Sequence, residues 1–296
     1  MEWQQLLGFY HVARLGSFTK AGEATFRTQS ALSQQIKALE EELGCRLLER
    51  IGKRKLRLTS PGERFFRFAQ ESLARYEHLQ EELDELQGLQ KGHLRLAAPF
   101  TTLYHLFPPV LKRYRERFPQ VQLTVWDRSQ ATVLELIRAG DIDLGIALES
   151  VVPQDLAATR WQPVDTVLMA PRGHPLTRAK SITLEQIAAY PLILPPRSPG
   201  HSGRGNIQDY LRKEGLDYRV IMESSNVELS SLYVEMGLGI SFATMVQGLR
   251  LPRRKLAFIS LKDFFPLDYM AVVMRKDKAL TTPKAAFIQM LLGSEQ

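Results

Sequence analysis

The chain has 296 residues, 44% of them hydrophobic and 24% charged, enough for two or three folded units of ordinary globular composition. A formal net charge of +7 suits a polyanionic partner, while a single cysteine, Cys45, excludes an intrachain disulfide and a cysteine-rich metal cluster. Met1-Glu2-Trp3-Gln4-Gln5 lacks the basic and apolar regions of a signal peptide, and no apolar run reaches membrane-spanning length, so a cytoplasmic protein with no membrane partner is expected.

Residues 3 to 15 place Leu6, Leu7, Tyr10, Val12 and Ala13 at helical spacing, ending near Gly16. Ser17 or Thr19 is expected to cap a second helix, with Phe18 packing beneath it. A third helix is predicted from about Thr28 to Leu43, stopped by Gly44. Its buried stripe is Ala31, Leu32, Ile36, Leu39 and Leu43, which leaves Gln29, Ser33, Gln34 and Lys37 outside. This third helix starts in small polar groups, Thr28, Ser30 and Ser33, and carries long donors and acceptors. That is the equipment for reading base edges and phosphates in a major groove, and a helix-turn-helix is the expectation.

Next, Lys53-Arg54-Lys55-Leu56-Arg57 puts four cations into five residues, and Leu56 alternates with Leu58. A short β-wing held against the phosphate backbone is predicted. Ser60-Pro61-Gly62-Glu63 opens a long helix whose periodicity runs to about Gln90. Phe65, Ala69, Leu73, Tyr76, Leu79, Leu83 and Leu86 recur at steps of three or four, a coiled-coil-like seam. Phe65, Leu73, Tyr76, Leu79, Leu83 and Leu86 are therefore the dimerisation candidates; the alternative is a seam that packs on the chain's own C-terminal domain.

Residues 88 to 92 form a boundary, after which strands and helices alternate. Strands are expected at Leu94–Ala98, Val121–Trp126 and Leu144–Leu148, with helices at Leu106–Arg117 and Thr132–Ala139 between them. A second set contains Val164–Ala170, Leu184–Ala189, Leu192–Leu194, Gly205–Glu214, Val220–Glu223, Val227–Met236 and Ile240–Thr244. Strands at Leu256–Ser260 and Tyr269–Met274 and a helix at Thr282–Leu292 complete the chain. The pattern implies an α/β fold with a mostly parallel sheet behind an all-α, winged N-terminal domain.

Taken together, these residues resemble the LysR-type transcriptional regulators. The likeness runs through Phe18-Thr19-Lys20-Ala21, Gln29-Ser30-Ala31-Leu32-Ser33, Leu39-Glu40, Leu43-Gly44, Leu47-Leu48 and Leu58-Thr59-Ser60-Pro61-Gly62. It continues in Gly140-Asp141-Ile142-Asp143-Leu144, His174-Pro175-Leu176, Pro191-Leu192-Ile193 and Gly237-Leu238-Gly239-Ile240. The resemblance implies a winged helix-turn-helix over residues 1–59, a dimerising linker helix over 60–92, and a two-lobed effector domain over 93–296 like a periplasmic binding protein. Lobe one takes 93–163 and 265–296, lobe two 164–264. It also implies homodimers or homotetramers on double-stranded promoter DNA, controlled by a small-molecule effector. Four residues depart from the family pattern. Gly22 stands in place of alanine, at a helix-interior cost of about 1 kcal/mol. Thr25 replaces leucine and puts a hydroxyl near the core, Ser30 replaces a common proline, and Thr244 stands where proline often ends a strand.

The DNA-binding candidates are Arg27, Thr28, Gln29, Ser30, Ser33, Gln34 and Lys37, with Lys53, Arg54 and Lys55 on the wing; the competing reading is a solvated helix face and an ordinary basic loop. For the effector, the family's inter-lobe cleft points to Phe100, Thr101 and Thr102 after the first strand, Ser129 and Gln130 after the second, and Leu148 after the third. On lobe two it points to Arg197, Ser198, His201 and Ser202. Hydroxyls beside unpaired N–H groups would seat a carboxylate, sulfate or similar anion, the competing reading being plain helix capping by Thr102 and Ser202. His201-Ser202-Gly203-Arg204 looks like the sulfur-regulating branch of the family.

Catalytic patterns are incomplete. Ser17-Phe18-Thr19-Lys20 fits Ser-x-x-Lys without its partner motifs, and Gly200-His201-Ser202-Gly203-Arg204 fails the nucleophile elbow at its last position. Neither Gly203-Arg204-Gly205 nor Gly237-Leu238-Gly239 completes a dinucleotide fingerprint, and the six histidines lack metal-ligand spacing. No catalytic residue, cofactor or metal is therefore expected. Two other readings compete with a regulator: a cytoplasmic small-solute-binding protein with a non-regulatory DNA-binding module, and an enzyme with a fused DNA-binding domain.

Overall fold

The computed structural model describes residues 1–51, 55–179, 181–196, 207–247 and 255–293, with backbone only for Arg50, Ile51 and Lys55. The chain divides into two compact units, Met1–Leu89 and Gln90–Gln296.

In the first unit, α1 (Trp3–Leu15), α2 (Phe18–Thr25) and α3 (Gln29–Leu43) surround a core of Phe9, Val12, Ala21, Leu32, Ile36, Leu39 and Leu47. Ser17 caps α2, its hydroxyl accepting from the Lys20 N–H at 3.3 Å, and Thr28 caps α3 rather than opening it. The expected α3 stripe is narrower than its apolar residues suggest. Leu43 is 41% exposed and Ala31 half-buried, because the last turn runs beyond the core before Gly44 ends it in the left-handed region at φ 66°.

Two of the departures in α2 turn out to fit their surroundings. A Cβ on Gly22 would lie 2.5 Å from the Arg27 carbonyl oxygen, so the turn into α3 passes closer than alanine allows. The Thr25 hydroxyl is satisfied by donating to the Ala21 carbonyl at 2.7 Å. The wing forms as expected, β1 (Leu48–Ile51) pairing antiparallel with β2 (Lys55–Leu58). Glu40 sets its entry, because one carboxylate oxygen accepts from the Leu47 and Leu48 N–H groups at 2.7 and 3.0 Å.

Helix α4 (Ser60–Leu86) is capped by Thr59 and carries Pro61 in its first turn. Gly62 belongs to the packing itself, since a Cβ there would lie 1.9 Å from the Leu47 carbonyl oxygen. The helix stops four residues short of the expected Gln90. Gly88 takes φ 76° and the Leu89 N–H turns back to the Asp84 carbonyl at 2.9 Å. It packs on α1: Phe65 meets Phe9 edge-on at 5.0 Å, Phe66 stacks on Tyr10 at 5.5 Å, and Tyr76 tilts on Trp3 at 4.9 Å.

The second unit is built on β3 (Gly92–Ala98), β4 (Val121–Asp127), β5 (Leu144–Leu148), β6 (Leu156–Pro171), β7 (Leu192–Leu194), β8 (Val220–Glu223), β9 (Ile240–Val246), β10 (Leu256–Ser260) and β11 (Asp268–Arg275). The sheet runs β4-β3-β5-β11-β6-β9-β7-β8, with β10 also on β6. It is mixed rather than mostly parallel. The outer pairs β3–β4, β3–β5, β7–β8 and β7–β9 are parallel, and every pair involving β6 or β11 is antiparallel.

The largest difference from the expectation is β6, a single strand of 16 residues where only Val164–Ala170 reads as a strand. Its first half pairs with β11 from Leu156 to Val164, and its second half with β9 from Val164 to Met169. Residues 157 to 163 show no apolar alternation and include Pro163, so their extended form comes from pairing, not from local pattern.

Separate cores lie along this sheet. Leu94, Leu96 and Ala98 of β3 face Phe107 and Tyr114 of α6 (Phe107–Arg117) and Phe287 of α11 (Thr282–Leu292), while Ala97 faces Val133 and Ile137 of α7 (Gln130–Arg138). Farther along, Leu168 and Ala170 of β6 join Ile187 of α8 (Leu184–Ala188) and Leu211 of α9 (Ile207–Lys213), whereas Val167 and Met169 join Val234 of α10 (Val227–Glu235). This is the period-two signature of strands covered on both faces. Phe265 packs with the Leu168 group and Met270 with the Leu94 group, so the chain changes cores between them. The remaining helix, α5 (Phe100–His105), follows β3 directly.

Candidate functional site

In the first unit, Thr28, Gln29, Ser30, Ser33, Gln34 and Lys37 are all exposed on the side of α3 opposite Leu32, Ile36 and Leu39. The Thr28 hydroxyl lies 3.2 Å from the Ala31 N–H and 3.1 Å from the Ser30 hydroxyl, so the helix start is held in shape by its own exposed side chains. Lys37 makes an exposed contact with Glu41 at 3.6 Å, which solvent screens and a phosphate can displace. Arg27 differs from the others. It is half-buried and donates to Gln35 at 3.0 Å and to Gln4, so part of its role is to tie the turn to α1 and α3. Lys53 and Arg54 lie outside the described residues, and of Lys55 only the backbone is described.

Along α4 the seam residues divide. Phe65 packs against the core of its own unit, Leu73 is half-buried and Tyr76 lies on Trp3, whereas Leu79, Leu83 and Leu86 are 48%, 48% and 84% exposed.

In the second unit, the ends of β3, β4 and β5 converge on a cavity of about 500 Å³. Phe100, Thr101, Thr102, Ser129, Gln130 and Leu148, named from separate strand ends, all line it. Ser129 caps α7 through the Thr132 N–H at 3.3 Å, and the Gln130 amide oxygen accepts from the Leu148 N–H at 2.8 Å, which fixes the second and third strand ends to each other. Thr102 lines the cavity although it is only 3% exposed. Capping accounts for Ser129 but not for Thr102, whose hydroxyl has no partner among the described residues.

The opposite wall comes from Ser225, Asn226 and Val227 at the start of α10, Thr244 and Val246 of β9, and Met270 of β11. These residues were missed, as were Asp127 and Arg128. The signal for Asn226 was present: Ser224-Ser225-Asn226 separates a strand from a helical pattern, and Asn226 does cap α10, accepting from the Leu229 N–H at 3.1 Å. Arg197, Ser198, His201 and Ser202 lie outside the described residues. No group of three or more His, Cys, Asp or Glu among the described residues could hold a metal, and no helix among them is long and apolar enough to cross a membrane.

Residues 3–63 match the family profile "Bacterial regulatory helix-turn-helix protein, lysR family", and residues 87–295 match "LysR substrate binding domain". The chain is 31% identical over 292 residues to the HTH-type transcriptional activator CmpR of Synechocystis sp., covering 97% of this chain and 94% of that one. It is 33% identical over 243 residues to the HTH-type transcriptional regulator cbl of Escherichia coli, covering 81% and 76%. Among solved structures, a full-length OxyR variant from Pseudomonas aeruginosa shares the fold at a TM-score of 0.68 and 24% identity, over 99% of this chain and 97% of that one. A reading helix with its wing, a long helix and a strand-end cavity in an α/β unit thus coincide with both family profiles, and the chain belongs to the LysR family of transcriptional regulators, with a helix-turn-helix DNA-binding domain and an effector-binding domain.

Proposed function

We propose that this regulator binds promoter DNA as a dimer or tetramer and changes its grip when a small anionic molecule occupies the cavity at the ends of β3, β4 and β5. The observation that carries this reading is the convergence of Phe100, Thr101, Thr102, Ser129, Gln130 and Leu148, from three strand ends, on one cavity. In this reading residues 1–59 are the winged reader, 60–92 the linker helix and 93–296 the effector domain, with lobes at 93–163 plus 265–296 and at 164–264. Thr28, Gln29, Ser30, Ser33, Gln34 and Lys37 meet the major groove, Arg27 positions the turn, and Lys53, Arg54 and Lys55 hold phosphates. Leu79, Leu83 and Leu86 meet a second copy. The regulator acts in the cytoplasm without a catalytic step of its own. A ligand controls it by binding one cleft geometry better than another, which shifts how paired reading helices are presented.

The test is binding of the purified chain to the intergenic DNA beside its own gene at fixed salt. A preference over random DNA that falls about tenfold or more for Ser33→Ala combined with Lys37→Ala supports the reading. Equal affinity for both DNAs overturns it. A solute-binding protein carrying an idle DNA-binding module would show no preference.

A further inference from the structure

We infer that Arg128 is the ionic anchor of the effector cavity and that its ligand is an organic monoanion with an apolar body, not an inorganic oxyanion. This rests on the effector-cavity reading and specifies the chemistry of that site.

Among the described lining residues, Arg128 is the only cation and Asp127 the only carboxylate. Arg128 follows β4 directly and is set in place by its own backbone, its N–H donating to the Ala98 carbonyl at 3.1 Å. One guanidinium nitrogen, Nη1, donates to the Asp127 carbonyl at 2.7 Å, and the guanidinium carbon lies 5.7 Å from the centre of the Trp126 ring. Arg128 has no ion-pair partner among the described residues. A guanidinium carries five N–H donors, so a fork remains for a carboxylate or a similar planar anion after the Asp127 contact. On the neighbouring strand end, Thr102 lines the same cavity at 3% exposure with its hydroxyl unpartnered among the described residues. A threonine hydroxyl both donates and accepts, so a ligand oxygen in the cavity can pair with it.

The remaining walls decide the class. Leu106, Ile146, Leu148, Val227, Val246 and Met270 give the cavity a broad apolar lining, and about 500 Å³ lies in the range of sites for organic ligands. A bare sulfate or phosphate would occupy the polar end and leave those walls wet. An apolar body removes them from water, and that burial adds to the affinity. Asp127 opposes a second negative charge in the same space, so a single anionic group is favoured over a dianion.

The experiment is a thermal-shift titration of the full chain with organic monocarboxylates of graded apolar size, each beside its primary amide, and with sulfate and phosphate at matched ionic strength. The expected result is stabilisation by particular acids, absent for their amides and weak for the inorganic ions. The apparent affinity should fall about 10- to 100-fold in Arg128→Gln and less in Arg128→Lys, which keeps the charge but not the fork. Arg128 is exposed, and the melting curve of each ligand-free variant checks that it folds. Equal binding of acids and amides, or an unchanged affinity in Arg128→Gln, overturns the anchor. Stabilisation by sulfate or phosphate alone overturns the organic class while leaving the cavity as an effector site. If no ligand stabilises the unmodified chain, the effector reading falls and this inference falls with it.

Discussion

The His105 ring nitrogen Nε2 lies 2.7 Å from a carboxylate oxygen of Glu228, and the two side chains are only 10% and 16% exposed. His105 ends α5 and Glu228 stands in the first turn of α10, and both helices begin at the wall of the cavity beside β3, β4 and β5. The pair therefore couples the end of α5 to the start of α10. Replacing Glu228 by alanine is expected to destabilise the second unit by about 1.5–3 kcal/mol, the usual range for a hydrogen bond to a charged group. Glu228→Gln, which keeps an acceptor, should cost less. Hydrogen exchange of the α5 and α10 amides checks the coupling: faster exchange in only one of the two helices would argue against it.

At Gly22, helix propensity and local packing predict opposite signs. Propensity alone gives Gly22→Ala a gain of about 1 kcal/mol. A Cβ placed 2.5 Å from the Arg27 carbonyl instead forces the turn away from α2. The expected outcome is a loss of stability and weaker DNA binding, because Thr28 and the start of α3 follow that turn. A variant melting above the unmodified chain would show that the turn yields at little cost.

Asp143 gives the second unit a defined acid response. It is 2% exposed and lies 2.5 Å from the Lys278 ammonium and 3.1 Å from that of Lys284, and it accepts the Arg95 N–H at 2.7 Å. Burial opposes its charge, but the two ammoniums and these hydrogen bonds outweigh burial and hold the carboxyl below its ordinary value. A depressed folded value means that the unfolded chain binds the proton first. The stability is therefore complete above the ordinary aspartate value of about 3.9 and is lost as pH falls below it toward the folded value. Asp143→Asn should cost about 3 kcal/mol at pH 7, since it removes the carboxylate charge that two ammonium groups share. It should also flatten the stability profile below about pH 4; urea midpoints at pH 7 and pH 3.5 for both chains measure this.

If the exposed part of the α4 seam is the dimer interface, as proposed, assembly and folding should separate by substitution. Leu79 and Leu83 are each about half exposed, so Leu83→Asp should leave the first unit folded while lowering the oligomeric state in sedimentation. Phe65→Asp, placed against Phe9, should unfold that unit instead. A Leu83→Asp chain of unchanged mass would move the interface elsewhere.

Glu40 links reading helix and wing through two backbone N–H groups. Glu40→Ala should cost about 1–3 kcal/mol and weaken DNA binding, with Glu40→Gln close to the unmodified chain. If alanine binds DNA as tightly as glutamine, the wing finds its position without the carboxylate.

Much of this architecture could be read from residue order because its elements are locally consistent. Leu32, Ile36 and Leu39 at helical steps, Thr28 before α3, and Leu94, Leu96 and Ala98 at steps of two each state their own conformation. The first wall of the cavity was legible for the same reason, since strand ends that meet helix starts are visible in sequence. The second wall was not, because Thr244, Val246 and Met270 sit within strands whose meeting depends on pairing between segments far apart in the chain. The first half of β6 failed similarly: Ala157 to Pro163 carries no strand pattern and is held extended by β11. Gly22 shows a further limit, since a propensity scale cannot see a carbonyl brought near by a turn.

The unbroken run of β6 constrains how the cavity can change shape. Val164 pairs with Asp268 on one side and Val246 on the other, so both halves of the sheet hang on the same peptide units. Two bodies joined by slack loops can swing apart freely, whereas bodies sharing one ribbon can reorient only by winding or unwinding it. Ligand entry should therefore register as a torsional load concentrated near Val164, with the stiffness of that short span setting how large a signal one molecule can send.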